Sequence, residues 1–383
     1  LNILNSIGRI WVEARTHVPN DIRIFQKECV SASKAGYDIY LIQPGDSSHE
    51  TEGIHVIGLG PLVVNKLNRV LHTVNRAYKI AEEIDADIYH IHDPELLRIA
   101  VKLKKTGKKV IFDSHEDYPA QINQKKWIPF FLRKPISKLY GFYEKKILSE
   151  LDAVIGVTPH QVNRLRKINA NTVMISNFPK LTEHKLEPMF SNKRIVFPGM
   201  VYDGWCIKEI LDAIETIPDV IFSIRSTFNI SENYMDLLRR HPAWHKVDFQ
   251  GRQPHTEVMK LLSESMCGLA ITKYGPNVNG KEGTLGNTKL FEYMQAGIPV
   301  ISTDLVLWKE IIDTYECGYC VKPNDIEGIR NAIRAVIENP DKAKKMGKRG
   351  QQAISEKFCW EKEEEKLVKL YEDLLNKNST CER

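Results

Sequence analysis

Short runs that are apolar almost throughout and rich in β-branched residues alternate along this chain with amphipathic helical patterns, and few folds accommodate that order. In the amino-terminal half the runs are "DIYLIQP", "ADIYHIHD", "KKVIFDSHE", "DAVIGVTP" and "TVMISNFP". In the second half they are "KRIVFPG", "DVIFSIRS", "VDFQG", "CGLAIT", "IPVIST" and "CGYCVKP". Helical stretches such as "IRIFQKECVSASKAG" and "IKEILDAIETI" lie between them. A strand that is apolar on both faces has to be covered on both faces, and parallel neighbours need a crossover, so the alternation predicts doubly wound parallel α/β sheets. At 383 residues the chain exceeds the usual reach of one hydrophobic core. The charged segment "PKLTEHKLEPMFSNK", 179–193, separates the two series of strands. The expectation is two α/β domains, 1–178 and 194–357, facing across a cleft, with 179–193 as linker and a final helix over about 358–377.

Composition narrows the class. With 42% hydrophobic and 27% charged residues the chain reads as globular. It holds no apolar run of about 18 residues and opens on no basic-then-apolar leader pattern, so a cytoplasmic protein is expected. Seven scattered cysteines suit a reducing compartment better than a disulfide framework. Cys317 and Cys320 form one CxxC, but no second pair follows at zinc-site spacing, and no metal ligands are assigned. The net charge of +5 conceals an asymmetry: residues 98–148 hold thirteen Lys or Arg against four Asp or Glu. That stretch is therefore a local basic patch. No nucleic-acid-binding module accompanies it, so nucleic acid is not an expected partner.

In open α/β sheets ligands bind beyond the carboxyl ends of the strands. Four such turns carry chemistry. "HIHDPELL" brings His90, His92 and Asp93; "FDSHEDYP" brings Asp113, His115, Glu116 and Asp117; "FPGMVYDGWCIKE" brings Gly199 and Gly204; "EGTLGNTKLFEYM" brings Glu282 and Glu292. If a helix starts near Gly286 or Asn287, the amides of Asn287, Thr288, Lys289 and Leu290 form an anion site reinforced by the helix dipole. Glu292, one turn further in, could then accept hydrogen bonds from the hydroxyls of a ribose, or be a solvated helix residue. By position alone His115 reads as a hydrogen-bonded strand-end histidine, and Asp93 and Glu116 as turn and cap formers.

The stretch "NTKLFEYMQAGIPVIST" resembles the nucleotide-sugar motif of the family 4 glycosyltransferases, whose GT-B fold pairs two Rossmann-like domains. "THVPNDIRIFQKECVSASKAGYDIYLI", "IHDPELL", "DSHE", "SNFP", "FQGRQPHTEVMKLLSESMCGLAI" and "FCWEKEEEKLVKLYEDLL" are similar to further segments of that family, in its order and over almost the whole chain. The resemblance implies an amino-terminal acceptor domain, a carboxyl-terminal donor domain and a terminal helix packing back on the first. It also implies retaining, metal-independent transfer from a nucleotide diphosphate sugar, without any other cofactor. Glu292 matches the second glutamate of the family's E-x7-E pattern and would hold the ribose; His115 matches the histidine beside the donor sugar.

The chain departs from the family in two places. The first glutamate of the pattern falls on Thr284, with Glu282 two residues away as a substitute. The basic residues that relatives place after the glycine of "PGMV" and about five positions on fall on Met200 and Trp205. The leaving diphosphate then needs other cations, from Lys208, Arg225, Arg252, Lys273, Lys281 and Lys289, with Lys273 and Arg225 as the first candidates. Trp205 could stack on a base or sugar or fill a packing gap. For the acceptor, "KKWIPFFLRK" interleaves Trp127, Phe130 and Phe131 with cations. "KPISKLYGFYEKKIL" projects Ile136, Leu139, Tyr140, Tyr143 and Ile147 on one helical stripe, with Lys134, Lys138 and Lys145 opposite. Such a surface fits an anionic bilayer and a lipid-linked or lipopolysaccharide-type acceptor, or the stripe packs on its own domain. UDP-sugars are the favoured donors. The alternatives are a degenerate GT-B protein acting as a binding or partner subunit, and a nucleotide-sugar 2-epimerase.

Overall fold

The computed structural model describes residues 8–13, 21–45, 47–60, 74–125, 127–182, 186–275 and 278–379. Residues 16–20 of the first acceptor-domain segment, 183–185 of the expected linker and Lys126 of the basic stretch lie outside them. The chain divides into two compact units, one made of Leu1–Asn177 with Trp360–Arg383, the other of Phe178–Cys359. Part of the segment expected as a linker lies on the second unit, where Gln351 donates to the Leu186 carbonyl at 2.8 Å and Gln295 to that of Lys180.

The first unit contributes β1 (Arg9–Glu13), β2 (Asp38–Gln43), β3 (His49–Thr51), β4 (Ile54–Gly58), β5 (Ile88–Ile91), β6 (Lys109–Ser114), β7 (Ala153–Gly156) and β8 (Thr172–Met174). They form one sheet ordered β3-β4-β2-β1-β5-β6-β7-β8, parallel except for the pair β3–β4. Alternate residues serve two cores. Ile88 of β5 and Ile111 of β6 point to one that also holds Ile24, Trp360, Leu367 and Tyr371, whereas Tyr89, Ile91, Val110 and Phe112 point to another with Leu97, Ala100 and Leu165. This double coverage is why the strands read as continuous apolar runs.

The second unit contributes β9 (Arg194–Pro198), β10 (Val201–Tyr202), β11 (Ile221–Arg225), β12 (Phe228–Asn229), β13 (Val247–Gln250), β14 (Cys267–Ala270), β15 (Val300–Thr303) and β16 (Gly318–Val321). Six of them form a parallel sheet ordered β13-β11-β9-β14-β15-β16, and β10 pairs with β12. The helix Lys289–Ala296 is seated on this sheet at close range. A Cβ at Gly268 would meet the Tyr293 ring at 2.2 Å, so the glycine is what lets Tyr293 lie flat on β14 and donate to the Leu269 carbonyl at 3.0 Å. Gly297, with φ +77°, ends the helix in the left-handed region that glycine adopts freely. The architecture is thus mixed α/β, two doubly wound parallel sheets.

Candidate functional site

Two places in the chain concentrate chemistry, one in each unit. In the second, β9 ends at Pro198 and Gly199 turns the chain with φ +95°. The Gly199 N–H donates to the Arg225 carbonyl at 2.8 Å, so this residue offers room and not a donor. Into that room comes Lys289: its Nζ lies 5.1 Å from the ring centres of both Phe197 and Trp205, and a Cβ on Gly199 would sit 2.6 Å from it. Burial pushes the Lys289 ammonium below its ordinary pKa, against the pull of Glu292. Glu292 is half-buried in the first turn of the same helix. That helix begins at Lys289, later than the sequence suggested, and the Asn287 side chain accepts from the Lys289 N–H at 3.2 Å, so one of the amides expected to be free is already taken. Thr284 closes the preceding turn, its hydroxyl accepting from Gly286 N–H at 3.0 Å and its carbonyl from Trp308 Nε1 at 2.7 Å.

The other expected cations are placed as follows. Arg225 pairs with Asp248 at 2.8 Å, in a network that also ties Arg194 and Ser223 to that carboxylate. Lys208 pairs with Asp212 at 2.7 Å, and Lys281 lies 5.3 Å over the Tyr274 ring. Lys273 and Arg252 are exposed, as is the Glu282 side chain. Met200 is 53% exposed, whereas Trp205 is buried against Phe197 with ring centres 5.0 Å apart. Of the two roles open to Trp205, the structure assigns the packing one.

In the first unit, β5 and β6 carry His90, His92, Asp113 and His115 to one spot. His92 Nδ1 and His115 Nε2 share a hydrogen bond of 2.9 Å, and His90 shares one of 2.8 Å with the Tyr371 hydroxyl on the terminal helix. Arg23 and Glu28 enter from Ile22–Cys29, a wide-turned π-helical stretch capped by Asp21, whose carboxylate accepts from the Arg23 and Ile24 amides. Arg23 ion-pairs with Asp113 at 2.7 Å, and its Nε lies 3.0 Å from Glu28 Oε1. Burial alone would raise the Asp113 carboxyl, but the Arg23 guanidinium together with His115, His92 and His90 outweighs it and holds that carboxyl well below the usual range. For Glu28 burial prevails over Arg23, and the carboxyl stays protonated well above its ordinary pKa. Burial brings His90 down to about 4 and holds His92 well below its ordinary value, so both imidazoles are neutral. One donor atom each from Glu28, His90, His92 and Asp113 fall within 4.8 Å of one another, a set that could ligate a metal. Arg23, bonded to Asp113 and lying beside Glu28, is the cation this cluster already contains. Sequence reasoning picked out His115 but missed Arg23 and Glu28; the available signal was charge at positions 23, 27 and 28 within an otherwise apolar helical run.

Residues 229–353 match the family model described as glycosyl transferases group 1, and residues 29–179 match that of glycosyltransferase family 4. The fold is similar over 96% of the chain to sucrose-phosphate synthase from Thermosynechococcus elongatus, covering 99% of that chain, with a TM-score of 0.75 at 17% identity. The chain belongs to the group 1 glycosyltransferases. This glycosyltransferase is also similar in fold to Anabaena HepE, determined in complex with UDP-glucose, over 96% of its own length and all of that chain, with a TM-score of 0.69 at 13% identity. Among curated proteins it is 22% identical to the putative glycosyltransferase EpsD of Bacillus subtilis over 71% of this chain and 73% of that one. To glycogen synthase of Mycobacterium tuberculosis it is 23% identical over 38% of its length, and the match spans only about a third, 33%, of that relative.

The basic stretch of the glycosyltransferase ends in a helix, Phe130–Leu148, interrupted by neither Pro135 nor Gly141. The single stripe projected from the sequence divides. Tyr140 and Ile147 face inward with Ser137 and Glu144, and Glu144 is paired with Arg164 at 2.5 Å. Ile136, Leu139 and Tyr143 face outward with Phe130, Phe131 and Phe142, and Trp127 precedes them, 69% exposed. The stripe as a whole therefore does not pack on its own unit. Among the described residues no helix is long and apolar enough to cross a membrane.

Proposed function

We propose that this glycosyltransferase moves a hexose from a nucleotide diphosphate sugar, UDP-sugars favoured, to a lipid-linked or lipopolysaccharide- or capsule-type glycan acceptor with retention of configuration. The observation that carries the reading is the constellation at the end of β9: an open glycine turn, a cation over it and a half-buried carboxylate one turn along the same helix. The HepE complex with UDP-glucose, in a protein of similar fold, supports the donor class. Glu292 holds the ribose hydroxyls, and Thr288 and Leu290 contribute amides to the diphosphate. In the step itself the glycosidic carbon–oxygen bond breaks with its electron pair going to the β-phosphate oxygen. The acceptor hydroxyl oxygen bonds to the anomeric carbon on the same face, and its proton passes to the phosphate. His115, steadied by His92, orients the sugar and stabilises its developing charge, and neither a protein nucleophile nor a metal is invoked. The acceptor is met at an anionic bilayer through residues 98–148.

A second reading is favoured by particular residues. Thr284 occupies the first glutamate position, and Arg225, Met200 and Trp205 leave the donor side poor in free cations. These suit a GT-B protein that binds without turning over. Thermal-shift titration with UDP, GDP and their sugar conjugates tests the donor site, since a ligand that binds only the folded state raises its midpoint. A shift for one nucleotide series that Glu292→Ala abolishes supports the site, and sugar release or transfer by the wild type then separates enzyme from binding protein. No shift with any nucleotide overturns the donor reading.

A further inference from the structure

A partly buried ammonium without an anion is an unstable arrangement, because desolvation disfavours its charge and nothing restores it. Lys289 comes close to that position: Glu292 on the same helix restores its charge only in part, and burial prevails. Among the described residues no hydrogen bond or ion pair engages its Nζ, which is held only by the faces of Phe197 and Trp205. The competing cations named for this half are paired, packed on a ring or exposed: Arg225 with Asp248, Lys208 with Asp212, Lys281 over Tyr274, Lys273 and Arg252 exposed. The place Lys289 occupies is kept clear by Gly199, where any Cβ would come within 2.6 Å of the ammonium. Met200, the next residue, presents its side chain to solvent. A cation aimed at a vacant turn at the carboxyl end of a parallel strand is positioned for a phosphate oxygen.

We propose that the Lys289 ammonium is the diphosphate-binding cation of this protein, carried on the helix because the β9 turn has none. This rests on the nucleotide-sugar reading above and specifies which side chain of that site meets the pyrophosphate. Lys289 therefore discriminates by phosphate number and not by base. Its contribution is small for a nucleoside and full for a nucleoside diphosphate.

Isothermal titration with UDP, UMP and uridine, and with the guanosine series in parallel, tests this on the full chain. The wild type is expected to bind one diphosphate about ten- to a hundredfold more tightly than its nucleoside. Lys289→Met is expected to lose most of that preference while nucleoside affinity stays within about twofold. Adding a cation on the other scaffold, as Met200→Lys in the Lys289→Met background, is expected to recover diphosphate affinity. If Lys289→Met does not fold by circular dichroism, Lys289→Gln serves in its place. Wild type that binds neither series overturns the nucleotide reading itself. Wild type that binds, with Lys289→Met losing nothing or losing nucleoside and diphosphate equally, overturns the role of Lys289 and leaves that reading standing. Failure of Met200→Lys to recover any diphosphate affinity also counts against it.

Discussion

Glu28 is a carboxyl with no access to solvent, and whether it carries a proton decides the charge of the whole histidine cluster. Its folded pKa is raised well above the ordinary 4.5, chiefly by burial, with Arg23 opposing. Above pH 4.5 the unfolded carboxyl has lost its proton while the folded one keeps it, so folding takes up a proton. Glu28 therefore contributes stability that is complete below pH 4.5 and is lost as pH rises toward the folded pKa. Glu28→Gln copies the protonated form without that linkage. Urea unfolding is expected to show the variant gaining on wild type from pH 5 to pH 8; a variant that instead loses ground as pH rises would mean Glu28 is ionised against Arg23. His90 and His92 act oppositely, their depressed values removing stability as pH falls below 6.5, but they are common to both proteins. Legibility at this scale followed sequence separation. Glu292, Lys289 and Thr284 stood out as candidates because they sit in one turn and the helix after it. The pairing of Arg225 was not readable, because Asp248 lies on the neighbouring strand β13, nor was that of Arg23, because Asp113 is 90 positions away.

At the scale of elements the donor-side helix is fixed by contacts that only glycine permits. Helix Pro340–Glu356 crosses its end so closely that a Cβ at Gly347 would lie 1.7 Å from the Gly297 carbonyl oxygen. No side-chain rotation relieves a clash with backbone, so Gly347→Ala has to separate the two elements. It is expected to cost roughly 3 kcal/mol in urea unfolding, at the upper end of overpacking effects, and to weaken nucleotide binding by displacing Lys289 and Glu292. Gly251→Ala is the control, since nothing lies within 4 Å of a Cβ there, and should leave both within about 0.5 kcal/mol of wild type. The eleven apolar runs read from the sequence all became strands, because most are buried on both faces and so keep an unbroken hydrophobic signature; the edge strands β8, β13 and β16 are only partly covered. β1, β3, β4 and the short pair β10 and β12 were missed. β3 is exposed and polar, and β10 and β12 are two residues each. The helix Phe130–Leu148 was found, but not its buried side: a helical projection shows which residues share a stripe and cannot show which stripe a neighbour covers.

Across the whole molecule, charge and exposed apolar surface coincide. The stretch 98–148, with its thirteen basic and four acidic residues, ends in a helix whose outer face carries Phe130, Phe131, Leu139 and Phe142, each more than 70% exposed. Lys134, Lys138, Lys145 and Lys146 lie exposed on the same helix. Aromatic rings in water beside lysines are unfavourable surface for a free protein and favourable surface at an anionic bilayer, where the rings reach the acyl boundary and the lysines meet the headgroups. Each basic residue near such a surface is worth about 1 kcal/mol at modest salt, so four give an attraction that salt should largely remove. Flotation with phosphatidylglycerol-containing vesicles is expected to recover the protein at low ionic strength, much less of it at high salt, and little with neutral vesicles. Changing Lys134, Lys138 and Lys145 to Glu should abolish the lipid preference, and Leu139→Asp with Phe142→Asp should abolish binding while leaving nucleotide affinity unchanged. Should the wild type ignore anionic vesicles and sediment as a dimer that Leu139→Asp dissociates, the same surface serves a second copy and the bilayer assignment is wrong. Exposure decides between these surfaces: had Leu139 and Tyr143 packed inward with Tyr140 and Ile147, the lysines alone would be an ordinary solvated face.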